Sequence, residues 1–183
     1  MQTISIAGDL GSGKSSVAKR ICEKLPFEYF STGMLQRKLA AEKGMNTLEL
    51  NYFSETTNDV DNYIDAYLKN IDKSSGDYVL DSRLAWFFVK RSFKVYLSVK
   101  PEIAAQRVLS DIQRINEPEA NDLESRIQTL LERQEVENRR FKKLYNIDCR
   151  DFSNYNLVLD TSDLTIDQTV DLIIAAIDPK GAN

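Results

Sequence analysis

The sequence predicts an α/β fold, a five-stranded parallel sheet flanked by helices with two helical insertions. Three observations carry that expectation. A short apolar run leads into a glycine-rich octapeptide, and a segment of helical periodicity follows it. Short apolar runs then alternate with helical segments along the chain. Two of the helical stretches are longer than a simple crossover needs.

The elements follow in order. Strands are expected at residues 3–7, 28–30, 78–81, 94–99 and 157–160, each short and apolar. The first feeds the glycine-rich loop and is expected at the centre of the sheet, with ligands beyond the carboxyl ends of the strands. Residues 16–25 have helical periodicity, and Cys22 shares a face with Ala18 and Leu25. The first insertion runs from residue 32 to about 75. Ser31 or Thr32 is suited to cap its first helix, Gly44 to end it, and Asn46 or Thr47 to cap the next. Residues 59–71 form a third helix, with Val60, Tyr63, Ile64, Tyr67 and Leu68 expected on one side. The second insertion joins a helix at 102–114, a break at 116–121 and a long charged helix at 122–143. Ile127, Leu130 and Leu131 supply the apolar stripe of that helix; its charged remainder reads at its plainest as a solvated face, while its place before the last strand suits a lid. No repeat or low-complexity segment interrupts the pattern.

Composition bounds the chemistry. A chain of 183 residues with ordinary apolar content is one domain with room for lobes. The expected division is a core of residues 1–31, 77–109 and 145–178, an acceptor-binding lobe at 32–76 and a lid region at about 110–144. The net charge of −4 argues against a general nucleic-acid or membrane-surface role. No apolar run is long enough to span a bilayer, and none precedes the first strand as a secretory leader would. Cys22 and Cys149 are far apart and form no metal or redox spacing, so a reduced, cytoplasmic setting and a monomer are the default expectations. Histidine is absent, which removes Ser-His triads, His-bound zinc and imidazole acid–base catalysis. Chemistry here must run on Lys, Arg, carboxylates, hydroxyls and a metal.

The octapeptide Gly8-Asp9-Leu10-Gly11-Ser12-Gly13-Lys14-Ser15, followed by Ser16, has the Gly-x-x-x-x-Gly-Lys-Ser spacing of a phosphate-binding loop. Strand before and helix after give the context that separates such a loop from a chance match. Its curled amides and the positive end of the next helix suit phosphate oxygens. Lys14 is expected to reach the β and γ phosphates of ATP, and Ser15 to hold Mg2+ through its hydroxyl.

Transfer of a γ-phosphoryl group needs positive charge around its equatorial oxygens, which arginine supplies bidentately and at any pH. Arg37 follows the second strand in Ser31-Thr32-Gly33-Met34-Leu35-Gln36-Arg37, where Thr32 and Gly33 open a helix. Arg83 follows the third strand in Asp81-Ser82-Arg83, and Arg133, Glu137, Arg139 and Arg140 lie on the long charged helix. Singly, each arginine reads as a surface cation; together, at strand ends and on one helix, they read as a site. Asp81 is suited to order water on Mg2+ or to contact the acceptor, and equally to cap a helix.

These motifs together resemble the cytidylate kinases, especially their short archaeal-type form, from Ile4 to about Ile177. Thr32-Gly33-Met34-Leu35-Gln36-Arg37 looks like that family's Thr-Gly-x-x-x-Arg acceptor segment, and Asp81-Ser82-Arg83 like its Asp-Gly-Arg. Residues Arg133 to Arg140 look like its lid pattern, and Tyr145-Asn146-Ile147-Asp148 and Asp160-Thr161-Ser162 like its closing segments. Ser82, Leu84, Gln36 and Gln134 depart from the usual residues. The resemblance implies a P-loop nucleotide kinase fold and transfer from ATP to CMP or dCMP with Mg2+. It implies catalytic roles for Lys14, Asp81, Arg133 and Arg140, and acceptor binding by Thr32, Gly33, Arg37, Ser82, Arg83, Arg133, Glu137 and Arg140. Nothing in the residues themselves singles out cytosine. Two other readings stand beside this one. A small-metabolite kinase would need a carboxylate over a hydroxyl, for which Asp81 is the candidate; a nucleotide-dependent switch would lack chemistry on a second substrate. The Asn-Lys-x-Asp guanine segment of a GTPase is missing, and Ser82 follows Asp81 where a motor ATPase usually has Glu. Trp86, Phe87 and Phe88 read as core rather than as a base-stacking set.

Overall fold

A computed structural model describes residues 3–111, 120 and 122–177. Five strands form one parallel sheet: β1 (Ile4–Gly8), β2 (Glu28–Ser31), β3 (Tyr78–Asp81), β4 (Phe93–Ser98) and β5 (Leu157–Asp160). Their order across the sheet is β2-β3-β1-β4-β5, so the strand that feeds the glycine-rich loop is central. The helices are α1 (Lys14–Lys24), α2 (Thr32–Glu42), α3 (Thr47–Thr56), α4 (Asp59–Lys73), α5 (Ala85–Phe88), α6 (Pro101–Ser110), α7 (Leu123–Tyr145) and α8 (Ile166–Ile177).

Strand periodicity divides the core between the two faces of the sheet. Ile4 and Ile6 pack with Val17, Ile21, Val170 and Ile173 under α1 and α8. Leu80 packs on the other face with Leu68 of α4, Ala85 of α5, Val89 just after it and Phe141 of α7. Ser5 also turns away from α1, and its hydroxyl accepts a bond of 2.9 Å from Ser92.

Local chemistry sets the helix ends. Ser31 caps α2, its Oγ accepting from Met34 N, and Gly44 follows α2 with φ of 66°. Asn46 caps α3 in a reciprocal box with Glu49. Asp122 caps α7, and Asn146 ends it with φ of 55°. The last turn of the helix expected at 102–114, and most of the break expected at 116–121, lie outside the described residues.

Two face assignments are corrected. On α4, Tyr63 and Tyr67 are exposed, while Asp61 and Asp65 join Val60, Ile64, Leu68 and Ile71 inside. On α7, Leu131 is exposed, while Arg126, Arg133, Glu137 and Arg140 are buried with Leu130, Val136 and Phe141. The charged helix, whose plainest reading is a solvated face, thus turns an ionic stripe inward, because charges on other elements meet it. Trp86 is buried, with Phe87 and Phe88 partly buried around it, as expected of core aromatics.

Candidate active site

The carboxyl ends of β1, β2 and β3 open into a single cleft of about 1100 Å³, with the loop after β1 as its floor. The loop's glycines are there for geometric reasons. Gly11 has φ of +78°, and a Cβ on it would come within 2.8 Å of Ala104. Gly13 precedes α1 with φ of +86°, turning the first amides of α1 toward the cleft. No acidic residue lies in the first turn of α1 to compete for them. Lys14 Nζ curls over the loop and donates to the carbonyls of Asp9 at 2.6 Å and Gly8 at 3.1 Å.

Leu10, Gly11, Ser12, Gly13, Lys14, Ser15 and Ser16 line the cleft; Gly8 and Asp9 do not. Gly8 lies against β4, where a Cβ would meet Leu97 O at 2.2 Å. The Asp9 side chain points behind the loop, where it accepts from the Tyr96 hydroxyl at 2.7 Å and from Gln134 Nε2 at 3.3 Å. Asp9 therefore turns its side chain away from the cleft. Its carboxylate braces the loop against β4 and α7.

At the other wall, Asp81 ends β3 and gathers three hydroxyls on Oδ2. Ser15 donates at 2.5 Å, Ser31 at 3.0 Å and Tyr29 at 3.1 Å. Burial and the neighbouring Asp81 push the Tyr29 hydroxyl up to about 12, so it remains a donor at neutral pH. Asp81 sits next to the phosphate loop and beside the start of α2, not at the N-cap of α5, which is Leu84. Ser82 replaces glycine without distortion, since its Oγ accepts from Leu84 N at 3.3 Å and closes the turn.

Four arginines were expected near the transferring group, and three of them line the cleft: Arg37, Arg83 and Arg133. Arg37 folds back over the start of α2, 3.5 Å from where a Cβ on Gly33 would stand. Glu137 organises the other two. Arg83 Nε lies 2.7 Å from Glu137 Oε2, and Arg133 Nε donates to Glu137 Oε1 at 3.1 Å. Arg133 also donates to Thr47 Oγ1 at 3.1 Å, tying α7 to α3. Glu137 is only 1% exposed. Burial pushes its carboxyl up, yet Arg83, Arg133 and Arg140 outweigh that and hold it below the usual carboxylate range. Arg83 Nη2 is buried with no hydrogen-bond partner among the described residues. Such a donor suits an anionic oxygen entering the cleft.

Arg140 corrects the expectation. It does not line the cleft: it is 2% exposed, donates to Asn51 Oδ1 at 2.6 Å and pairs with Asp61 at 3.2 Å. Its guanidinium is spent joining α7 to α3 and α4. Arg139 also stays out, paired with Glu55 on the surface. The cleft also takes in residues given no role from sequence, among them Arg107 and Leu164 at the end nearest α6 and α8, with Thr161 of the closing segment beside them. Arg107 donates to Thr161 O at 2.7 Å, and Thr161 Oγ1 donates to Ser12 O at 3.0 Å, so the closing segment buttresses the phosphate loop. Asp61, Asn51 and Thr47 were missed as well; two acids at i and i+4 within the apolar stripe of α4 were the available signal.

Comparison with known proteins completes the picture. A family model described as an AAA domain matches residues 4–151. A cytidylate kinase of Archaeoglobus fulgidus is 33% identical over 178 residues, covering 97% of this chain and 95% of that protein. An S-adenosylmethionine-dependent nucleotide dehydratase of Lacinutrix mariniflava is 35% identical over 172 residues, covering 93% of this chain but 35% of that protein. Among solved structures, a shikimate kinase from Bacteroides thetaiotaomicron superposes over 97% of this chain and 98% of its own with a TM-score of 0.67. At 12% identity that likeness concerns the fold alone. Phosphate loop, opposed arginines and full-length relatives converge, and the chain belongs to the cytidylate kinase family of P-loop kinases.

Proposed function

We propose that this protein transfers the γ-phosphoryl group of ATP to CMP or dCMP, giving ADP and CDP or dCDP. The observation that carries the reading is the Glu137-held pair Arg83 and Arg133, facing Lys14 across one continuous cleft. On this reading ATP lies along α1 with its phosphates in the loop, its base toward Arg107 and Leu164. The acceptor lies under α2, its phosphate held by Arg37 and Arg83.

A phosphate acceptor is already ionised near neutral pH, so the reaction needs no general base, and a chain without histidine meets that demand. The residues do the positioning. Loop amides and Lys14 align the donor, Arg37 and Arg83 align the acceptor, and Arg133 gathers charge on the migrating group. Residues 32–76 act as an acceptor lobe and about 110–144 as a lid, both closing over the reactants to exclude water. The relatives at about one-third identity favour a phosphate acceptor over the hydroxyl acceptor of a metabolite kinase.

Mg2+ fits the residues present. The Ser15 hydroxyl and the Asp81 carboxylate are hard oxygen donors next to the phosphate loop. Among the described residues no cluster of three acidic, Cys or His groups forms a cage. That matches an ion bound mainly by nucleotide phosphates and water. Ser15 and, through water, Asp81 would hold it, and its charge would neutralise phosphate oxygens.

We place the enzyme in the cytoplasm as a monomer; Cys22 and Cys149 are free, and no described helix is long and apolar enough to cross a membrane. A coupled assay with ATP, Mg2+ and each of CMP, dCMP, UMP and AMP tests the reading. Turnover with CMP or dCMP is expected, and inactivity on all four would overturn it.

A further inference from the structure

The long helix α7 sits astride the phosphate loop. Consecutive helical residues point about 100° apart, so Arg133 and Gln134 leave α7 in different directions. Arg133 lines the cleft in front of the loop, while Gln134 Nε2 donates to Asp9 Oδ1 behind it at 3.3 Å. One turn earlier on α7, Leu130 packs in one cluster with Leu10 of the loop. Two neighbouring loop residues, Asp9 and Leu10, thus meet the stretch of α7 that carries Arg133.

Asp9 is a fixed post for that contact. It is 6% exposed, and its Oδ1 also accepts from the Tyr96 hydroxyl at 2.7 Å. Its Oδ2 accepts from Val99 N at 3.3 Å, just past the end of β4. Arg150 Nε stands 3.8 Å from Oδ1, on the segment that follows α7. Gln134, by contrast, is only partly buried and lies outside the apolar core. Chemistry restricts what residue 134 can be. It faces a buried carboxylate, so it must donate, and a neutral amide donates without placing a charge beside Arg133. A carboxylate in its place would face Asp9 as a like charge and push α7 off the loop. A displacement of about 1 Å in a positioned group costs up to about a hundredfold in rate.

We infer that Gln134 is a positioning residue: by holding Asp9 it fixes where Arg133 stands relative to the phosphoryl group in the loop. The bond joins the helix that carries the cation to the loop that carries the phosphates. It lies behind the loop, away from the cleft, so its loss is felt in turnover and not in substrate affinity. The inference rests on the kinase reading, which assigns Arg133 to the migrating group.

The test measures kcat and the KM for ATP and CMP in the unaltered enzyme, Gln134→Glu, Asp9→Asn and the double variant. Gln134→Glu alone is expected to lower kcat about tenfold and leave both KM values within about twofold. In the Asp9→Asn background, where the facing group is neutral, the same change should cost less than about twofold. An equal fall in both backgrounds, an unchanged kcat, or a raised KM at unchanged kcat overturns the inference. If circular dichroism shows one of these variants unfolded, Gln134→Met decides, since it keeps the length and removes the donor. A kcat lowered about threefold or more at unchanged KM supports the inference, and an unchanged kcat overturns it. Inactivity of the unaltered enzyme on every monophosphate strikes the kinase reading instead. Calorimetry with ADP and the non-hydrolysable analogue AMPPNP then reads Arg133 at the γ position. A preference for AMPPNP that drops about threefold or more in Gln134→Glu, and is kept in the double variant, supports the inference. An equal preference in all four proteins overturns it.

Discussion

At the scale of single residues, geometry separates side chains that look alike in sequence. Arg133 and Arg140 lie seven apart on α7, yet one lines the cleft and the other is locked to Asp61 and Asn51. Arg133→Ala is expected to raise the barrier by about 3–4 kcal/mol, by analogy with other preorganised charge stabilisers. The readout is kcat at saturating ATP and CMP; turnover within a few-fold of the unaltered enzyme would remove Arg133 from the mechanism. Arg140→Ala should act differently, leaving Asp61 buried without its counter-charge and lowering stability by about 3–5 kcal/mol. Thermal denaturation with and without CMP checks it. Gly11→Ala places a methyl 2.8 Å from Ala104 at φ of +78°, where an L residue is strained. It should cost about 1–3 kcal/mol and weaken ATP binding, read by denaturation and by nucleotide titration.

At the scale of elements, α7 is the centre of the molecule's electrostatics. Residues Arg126, Leu130, Arg133, Glu137 and Arg140 recur at spacings of three and four on one buried stripe. An ionic stripe of this kind is stable only when matched, and Glu137 is what matches it: Arg83 from the end of β3, Arg133 from its own helix, and Asn51 from α3 all reach it. Glu137→Gln keeps the shape but removes the charge, and should lower stability by about 3–5 kcal/mol and reduce kcat together. The sign of the pH effect follows from its lowered carboxyl. The stabilisation is complete above the ordinary carboxylate value of 4.5 and is lost as pH falls through the lower folded value. The stability gap between the unaltered protein and Glu137→Gln should therefore be full at pH 6 and shrink below about pH 4, measured by urea denaturation across that range. The stripe was open to a sequence reading, because the spacing is visible. What spacing alone does not show is which of these charges are buried, because their partners lie about 50 to 90 residues away in the chain.

At the scale of the whole molecule, a central β1 puts the phosphate loop in the middle of the sheet, so both insertions can reach it from opposite sides. Arg133–Thr47, Arg140–Asn51 and Arg139–Glu55 then clasp α7 to α3. A bisubstrate analogue joining adenosine to cytidine through phosphates should protect α2, α3 and α7 from hydrogen exchange as one unit. Protection confined to α1 would sink the two-lobed closure.

Sequence by itself determined the five short strands and the phosphate loop, and narrowed the caps of α2 and α3 to two residues each, because each depends on neighbours within a few residues. Periodicity, glycines at left-handed positions and capping side chains are local physics, and they are written locally. Tertiary structure alone decided which charges are buried. The turning of Asp9 behind the loop, the inward stripe of α7 and the diversion of Arg140 all depend on groups distant in the chain. Burying a charge is tolerable only where a partner waits, and where the partner waits is a property of the fold.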